Sequence, residues 1–146
     1  GKKDFFYDRL EQLVRQSHIS NIYFTGMVSD EELQLLYCKS DVYVFPSLYE
    51  GFGLPALEAL QYGVCVLASS RGSIPEVLGE AAFLEDPKSQ KFLECYRDIV
   101  RRNLVRPDVN KGFTRASVFL WTDMAQQTKD AYNEYKASLR KKEKGI

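Results

Sequence analysis

The stretch from Val42 to Ala68 constrains the fold more than any other part of the chain. Val42-Tyr43-Val44-Phe45-Pro46-Ser47 is a short, nearly continuous apolar run, the pattern of a strand buried on both faces. Gly51 and Gly53 then break the run. Pro55 suits the first position of a helix, where the N–H it lacks has no helical acceptor. That helix is predicted to end at Tyr62 and to stop at Gly63, and Val64 to Ala68 is a second apolar strand. Strand, glycine turn, helix and strand in this order require a parallel pair joined by a crossover helix.

The rest of the chain repeats the alternation. Phe6, Leu10, Leu13 and Val14 have helical spacing within residues 4–16, and residues 22–25 read as a short strand ending at Gly26. Ser29-Asp30-Glu31-Glu32 is a capping box that opens a helix to about Lys39. Ser73-Ile74-Pro75-Glu76 is a second capping box, and Ala82-Phe83-Leu84 a brief strand. Asp86-Pro87 is predicted to cap a helix over 88–102, followed by a less regular segment, Asn103 to Asn110, and a helix over 111–119. Thr122 is expected to cap a last helix, over 122–144, that ends in the basic run Arg140-Lys141-Lys142-Glu143-Lys144. The fold class that follows is α/β, with a Rossmann-like parallel sheet flanked by helices.

Charge and cysteine content exclude several functions. Lys and Arg total 20 and Asp and Glu total 20, so nothing in the balance favours nucleic acid. Cys38, Cys65 and Cys95 have no metal-ligand spacing, and they read as reduced, partly buried thiols. His18 is the only histidine and reads as a loop residue, which leaves little from which to build a metal site or a triad. No apolar run approaches the ~18 residues of a membrane span.

The glycine turn has chemistry of its own. Gly51 and Gly53 let an anion approach the backbone, and the amides of Gly51, Phe52, Gly53 and Leu54 lie where the positive end of a helix dipole favours a diphosphate. Gly-x-Gly alone would also suit a turn with no ligand. Glu50 and Glu58 flank it, and an ionised carboxylate can accept two hydrogen bonds from a vicinal diol. Each could instead serve the loop or the helix dipole. Together with the turn they point to a ligand that joins phosphate to sugar.

Phe24 to Leu33, Ser40 to Ser47, Glu50 to Ala59, Gly63 to Ser69 and Arg71 to Val77 closely resemble the C-terminal domain of family 4 (group 1) retaining glycosyltransferases of the GT-B fold. The glutamate–seven–glutamate pattern is that family's hallmark, and the resemblance extends to Phe119-Leu120-Trp121. It implies a domain that binds a nucleoside-diphosphate sugar for transfer of a hexosyl group to an acceptor hydroxyl, with retention and without a metal. By resemblance, Glu50 contacts the donor hexose and is the candidate catalytic residue. Gly51, Phe52, Gly53 and Leu54 hold sugar and diphosphate, Glu58 binds the ribose hydroxyls, Met27 and Val28 border the base, and Ser47 faces the cleft. Arg71 and Ser73 match a variable loop and receive no role. The pattern argues against a related phosphorylase or epimerase. The alternative is a non-catalytic nucleotide-sugar-binding or oligomerisation module of the same fold.

The resemblance also sets expectations about completeness. The family has an N-terminal acceptor domain and an early pair of strands with a basic pair; residues 1–146 match neither, and Lys2 and Lys3 do not match the basic positions. The chain is therefore expected to be a partial C-terminal domain, inactive alone. The missing strands would lie between 22–25 and 42–46, leaving sheet edges open to self-association. A cytoplasmic location is expected, with the parent protein able to sit at a membrane surface.

Overall fold

The computed structural model describes residues 3–101 and 108–143. The chain divides into two units, Gly1–Lys39 and Ser40–Ile146.

The first unit holds two helices, α1 (Phe5–Gln16) and α2 (Asp30–Lys39). Asp4 caps α1 by accepting the Tyr7 amide at 2.8 Å. None of the residues of α1 is buried, and Phe6, Leu10 and Leu13 are exposed. The Tyr7 ring meets Phe24 edge-on at 5.4 Å. The capping box before α2 forms as predicted: Glu32 N–H donates to Ser29 Oγ at 3.2 Å, and Ser29 N–H to Glu32 Oε2 at 2.8 Å. The strand expected at residues 22–25 does not form, and residues 22–26 join no sheet among the described residues. A strand exists only where its backbone groups meet a neighbour's, and apolar residues in the right pattern do not supply that neighbour. His18 lies in the turn after α1, at φ +53.

The second unit is built on three parallel strands in the order β1 (Val42–Phe45), β2 (Cys65–Ser69) and β3 (Phe83–Glu85). Val42 pairs with Cys65 and Phe45 with Ala68, while Leu67 pairs with Phe83 and Ser69 with Glu85. α3 (Leu54–Gln61) connects β1 to β2. α4 (Ile74–Leu78) and a 3-10 turn, Gly79–Ala81, connect β2 to β3. Every residue of β2 is buried, the apolar run Cys65 to Ala68 as its sequence requires and Ser69 with it. α5 (Gln90–Arg101) covers one face, setting Phe92 and Ile99 against Cys65 and Leu67, with Val42, Phe83 and Cys95 around them.

α3 follows directly from its sequence. It ends in a Schellman motif, with Val64 N–H on Ala59 O at 3.1 Å, Gly63 N–H on Leu60 O at 3.0 Å, and Gly63 at φ +70. α6 (Val109–Ser117) lies against α3 so closely that a Cβ on Gly112 would be 3.1 Å from Leu60 O. α7 (Trp121–Glu143) starts one residue before the Thr122 expected to cap it, with Leu120 O accepting the Asp123 and Met124 amides at 3.1 Å. Residues 102–107, which include the last predicted residue of the 88–102 helix and most of the predicted irregular segment Asn103 to Asn110, lie outside the described residues, as do Lys2, Lys144 and the side chains of the basic run from Arg140 onward. All three cysteines are free, and burial, with Cys95 nearby, pushes the Cys65 thiol up to about 11.

Candidate functional site

The strands of a parallel sheet all end at one edge, and ligands of such sheets bind beyond that edge. Here the edge carries three loops: residues 46–53 after β1, 70–73 after β2 and 86–89 after β3. The first loop contains most of the residues singled out from the sequence.

Its centre is Glu50. The Ser47 hydroxyl donates to Glu50 Oε1 at 2.8 Å, with Tyr49 O an alternative acceptor at 3.2 Å. The Glu50 carbonyl accepts the Ser73 hydroxyl at 2.9 Å. Glu50 is thus held at both its carboxylate and its backbone. Ser73 stands at the N-cap of α4 but makes no side-chain cap bond, so the second predicted capping box does not form. Pro75 in the first turn removes one amide a cap would satisfy, and the hydroxyl proton goes to the Glu50 carbonyl.

The turn after Glu50 leads into α3. Gly53 is the N-cap residue at φ +97, ψ +37, a left-handed conformation that glycine adopts without strain. Gly51 is a different case. Its φ is not positive, and a Cβ there would meet nothing within 4 Å. The fold does not require glycine at 51, and its lack of a side chain leaves the backbone open to solvent. The amides of Gly51, Phe52, Gly53 and Leu54 donate to no acceptor among the described residues. Together they form a cluster of unengaged donors at the positive end of α3.

The other two loops brace the first. Arg71 forms a bidentate pair with Asp86, Nε to Oδ1 at 2.9 Å and NH2 to Oδ2 at 2.6 Å. Asp86 also accepts the Lys88 amide at 3.0 Å. The hydrogen bonds from Arg71 and then Lys88 bring the Asp86 carboxyl down to about 2, and Asp86 in turn raises the Arg71 guanidinium. Arg71 N–H donates to the fully buried Ser69 hydroxyl at 3.2 Å, and Ser70 N–H to Glu85 O at 3.0 Å. α5 begins at Gln90, so Asp86 stands in the turn before the helix and, in place of the capping expected of it, pairs with Arg71.

Glu58 lies on the next turn of α3, facing a cavity of about 730 Å³. Phe52, Leu54, Leu57 and Gln61 line its α3 side, with Phe119, Trp121 and Met124 among the residues opposite. Phe52 meets Phe119 edge-on at 5.2 Å, and Arg115 stacks on Phe119 with its guanidinium carbon 5.0 Å from the ring centre. Arg115 Nε also donates to Val77 O at 2.8 Å and its NH2 to Glu76 O, closing the C-terminal end of α4. Of the predicted residues, Ser47, Glu50 and Gly51 to Leu54 share one turn, and Glu58 follows on α3 beside the cavity. Glu50 is not among the cavity's lining residues. Met27 and Val28 belong to the first unit, in the segment before α2. Ser73, Arg71, Gln61 and Trp121 had no role in the site from the sequence. Only Ser73 carried a signal, and its capping pattern pointed to a different partner.

The chain is similar to known proteins over most of its length. The family described as Glycosyl transferases group 1 matches residues 6–102. The O-antigen chain mannosyltransferase B of Escherichia coli is 39% identical over 138 residues, covering 90% of this chain and 35% of that protein. The MMP alpha-(1->4)-mannosyltransferase of Mycolicibacterium hassiacum is 37% identical over 131 residues, covering 85% of this chain and 32% of that protein. The chain thus spans about a third of the length of these relatives. Among solved structures, sucrose-phosphate synthase from Thermosynechococcus elongatus superposes with TM-score 0.78 at 28% identity, over 94% of this chain and 38% of that one. The C-terminal domain of a glycosyl transferase group 1 family protein (LpcC) from Francisella tularensis gives TM-score 0.61 at 30% identity, over 77% of this chain and 61% of that one.

Proposed function

Since this chain belongs to the group 1 glycosyl transferases, we propose that it is the donor-binding domain of a transferase. It binds a nucleoside-diphosphate sugar, and its parent protein moves the hexosyl group to an acceptor hydroxyl with retention. One observation carries this reading: four unengaged amides at the start of α3 lie directly after a glutamate fixed at both ends. Free amides at a helix N-terminus, backed by the helix dipole, stabilise charge as it develops on a leaving diphosphate. In this reading Gly51 to Leu54 hold the diphosphate, Glu50 faces the hexose, and Glu58 accepts the ribose hydroxyls, with no metal in the step. The mannosyltransferase names of two relatives favour mannose as the sugar.

Transfer requires an acceptor site, which this reading assigns to the rest of the parent protein. Binding is accordingly the measurement for the 146-residue chain. Calorimetric titration with UDP-, GDP- and ADP-sugars, each in mannose and glucose forms, should show saturable binding for one base, with mannose preferred. A folded chain that binds none of them, or hexosyl transfer by the chain alone, would contradict the assignment. No helix among the described residues is long and apolar enough to cross a membrane.

A further inference from the structure

We infer that Ser73 is a positioning residue for the donor site, acting on the Gly51 amide through the Glu50 carbonyl. The inference rests on the donor-binding reading above and adds to it a residue that the sequence had given only a helix-capping role.

The Glu50 carbonyl and the Gly51 N–H belong to one trans peptide, so they point in opposite directions and turn together. Fixing the carbonyl fixes the direction of the amide. Gly51 on its own gives that plane little restraint, because glycine tolerates a wide range of φ and no neighbour lies within 4 Å of its Cβ position. The restraint comes from the Ser73 hydroxyl, donated to Glu50 O at 2.9 Å across 23 residues of sequence. The Gly51 N–H is thereby turned away from the 70–73 loop.

Ser73 can hold the plane only if its own loop is held, and three contacts do this. Gly72, at φ +63, brings the loop backbone alongside Glu50: a Cβ there would lie 3.7 Å from Glu50 O and 3.9 Å from Glu50 N. Arg71 N–H is tied to buried Ser69. The Arg71 guanidinium is tied to Asp86 on the next loop. The assembly runs from β3 through Asp86, Arg71 and Ser73 to the first of the four amides. A purely structural serine at an N-cap would bond its own helix, and this one does not.

The experiment compares wild type, Ser73→Ala and Ser73→Thr in the 146-residue chain, with threonine keeping the hydroxyl. Two quantities are read: the 15N order parameter of the Gly51 amide without ligand, and the affinity for inorganic pyrophosphate and for UDP, GDP and ADP. Wild type and Ser73→Thr should show a rigid Gly51, with an order parameter near ~0.85, and Ser73→Ala should fall below ~0.6. Ser73→Ala should bind the preferred diphosphate about tenfold more weakly, the loss of one aligned hydrogen bond to a charged group, and Ser73→Thr within about twofold of wild type. A Gly51 amide as rigid in Ser73→Ala as in wild type overturns the inference. So does unchanged diphosphate affinity in Ser73→Ala, or a Ser73→Thr chain as impaired as Ser73→Ala. If the wild-type chain binds no diphosphate, the donor reading fails and the Gly51 order parameter alone decides the role of Ser73.

Discussion

Ser29-Asp30-Glu31-Glu32 and Ser73-Ile74-Pro75-Glu76 carry the same serine-to-glutamate spacing, yet the two serines do opposite things. Ser29 accepts: its Oγ takes the Glu32 amide at 3.2 Å and opens α2. Ser73 donates: its hydroxyl goes to Glu50 O at 2.9 Å and leaves α4 uncapped. The first bond spans three residues and needs nothing beyond its own helix. The second needs β1 and β2 side by side, so that the loops leaving them meet. A capping motif specifies what a serine can satisfy locally, and a carbonyl brought across by the sheet gives its hydroxyl proton a distant acceptor.

The comparison can be broken at several points. The largest effect should come from the residue that Ser73 holds. Glu50→Gln in the full-length parent protein should lower hexosyl transfer on the order of 100-fold, while circular dichroism stays unchanged. Transfer at wild-type rate would remove the Glu50 carboxylate from the reaction, while the Ser73 bond goes to the Glu50 backbone and is tested separately.

Aspartate separates the two serines next. It is as good an N-cap acceptor as serine, but its carboxylate has no proton to donate. Ser29→Asp should therefore leave both stability and diphosphate affinity near wild type. Ser73→Asp places a carboxylate oxygen against the Glu50 carbonyl and should weaken diphosphate binding by at least about tenfold, somewhat beyond the loss of a single hydrogen bond. Equal tolerance of aspartate at both positions would mean that Ser73 acts only as a cap.

A smaller effect is expected from Ser29→Ala, which should cost about 1 kcal/mol in denaturant unfolding, the usual value of an N-cap. Its diphosphate affinity should not change. A drop in affinity would link the first unit to ligand binding.

The smallest effect concerns the brace behind Ser73. The Arg71 hydrogen bonds bring the folded-state Asp86 carboxyl below its ordinary value of 3.8 to about 2. A lowered folded-state value favours folding above about pH 4, and that contribution is lost as pH falls from about 4 through 2. The pair should be fully ionised at neutral pH. An NMR titration of Asp86 should give a midpoint near 2, moving toward 3.8 in Arg71→Ala. An unchanged midpoint in that variant would mean the pair does not form in solution.

Much of the second unit was legible because its signals are local. Pro55 and Gly63 mark the two ends of α3, and the unbroken apolar run at Val64 to Ala68 becomes a strand buried along its whole described length, Cys65–Ser69. The glycine turn and both glutamates were found on the same grounds. Residues 22–25 show where such reading stops, since their strand-like composition found no neighbour among the described residues. Phe6, Leu10 and Leu13 repeat the lesson: helical spacing gave α1, but not a core for it to cover. Asp86 shows it in reverse. It was read as a cap, and only the return of β3 beside β2 brought Arg71 within its reach.

The sequence by itself determined the kind of chain this is: alternating strands and helices, a glycine turn opening α3, and two carboxylates flanking it. These depend on backbone preferences and on contacts a few residues apart, and one chain suffices to read them. Only the folded chain settles which group holds the Glu50 carbonyl. Ser73 lies 23 residues away and Asp86 a further loop beyond, and a hydrogen bond is made only when parallel strands carry both partners to the same edge. The physical reason is range: conformational preference acts along the chain, while a hydrogen bond acts through about 3 Å of space.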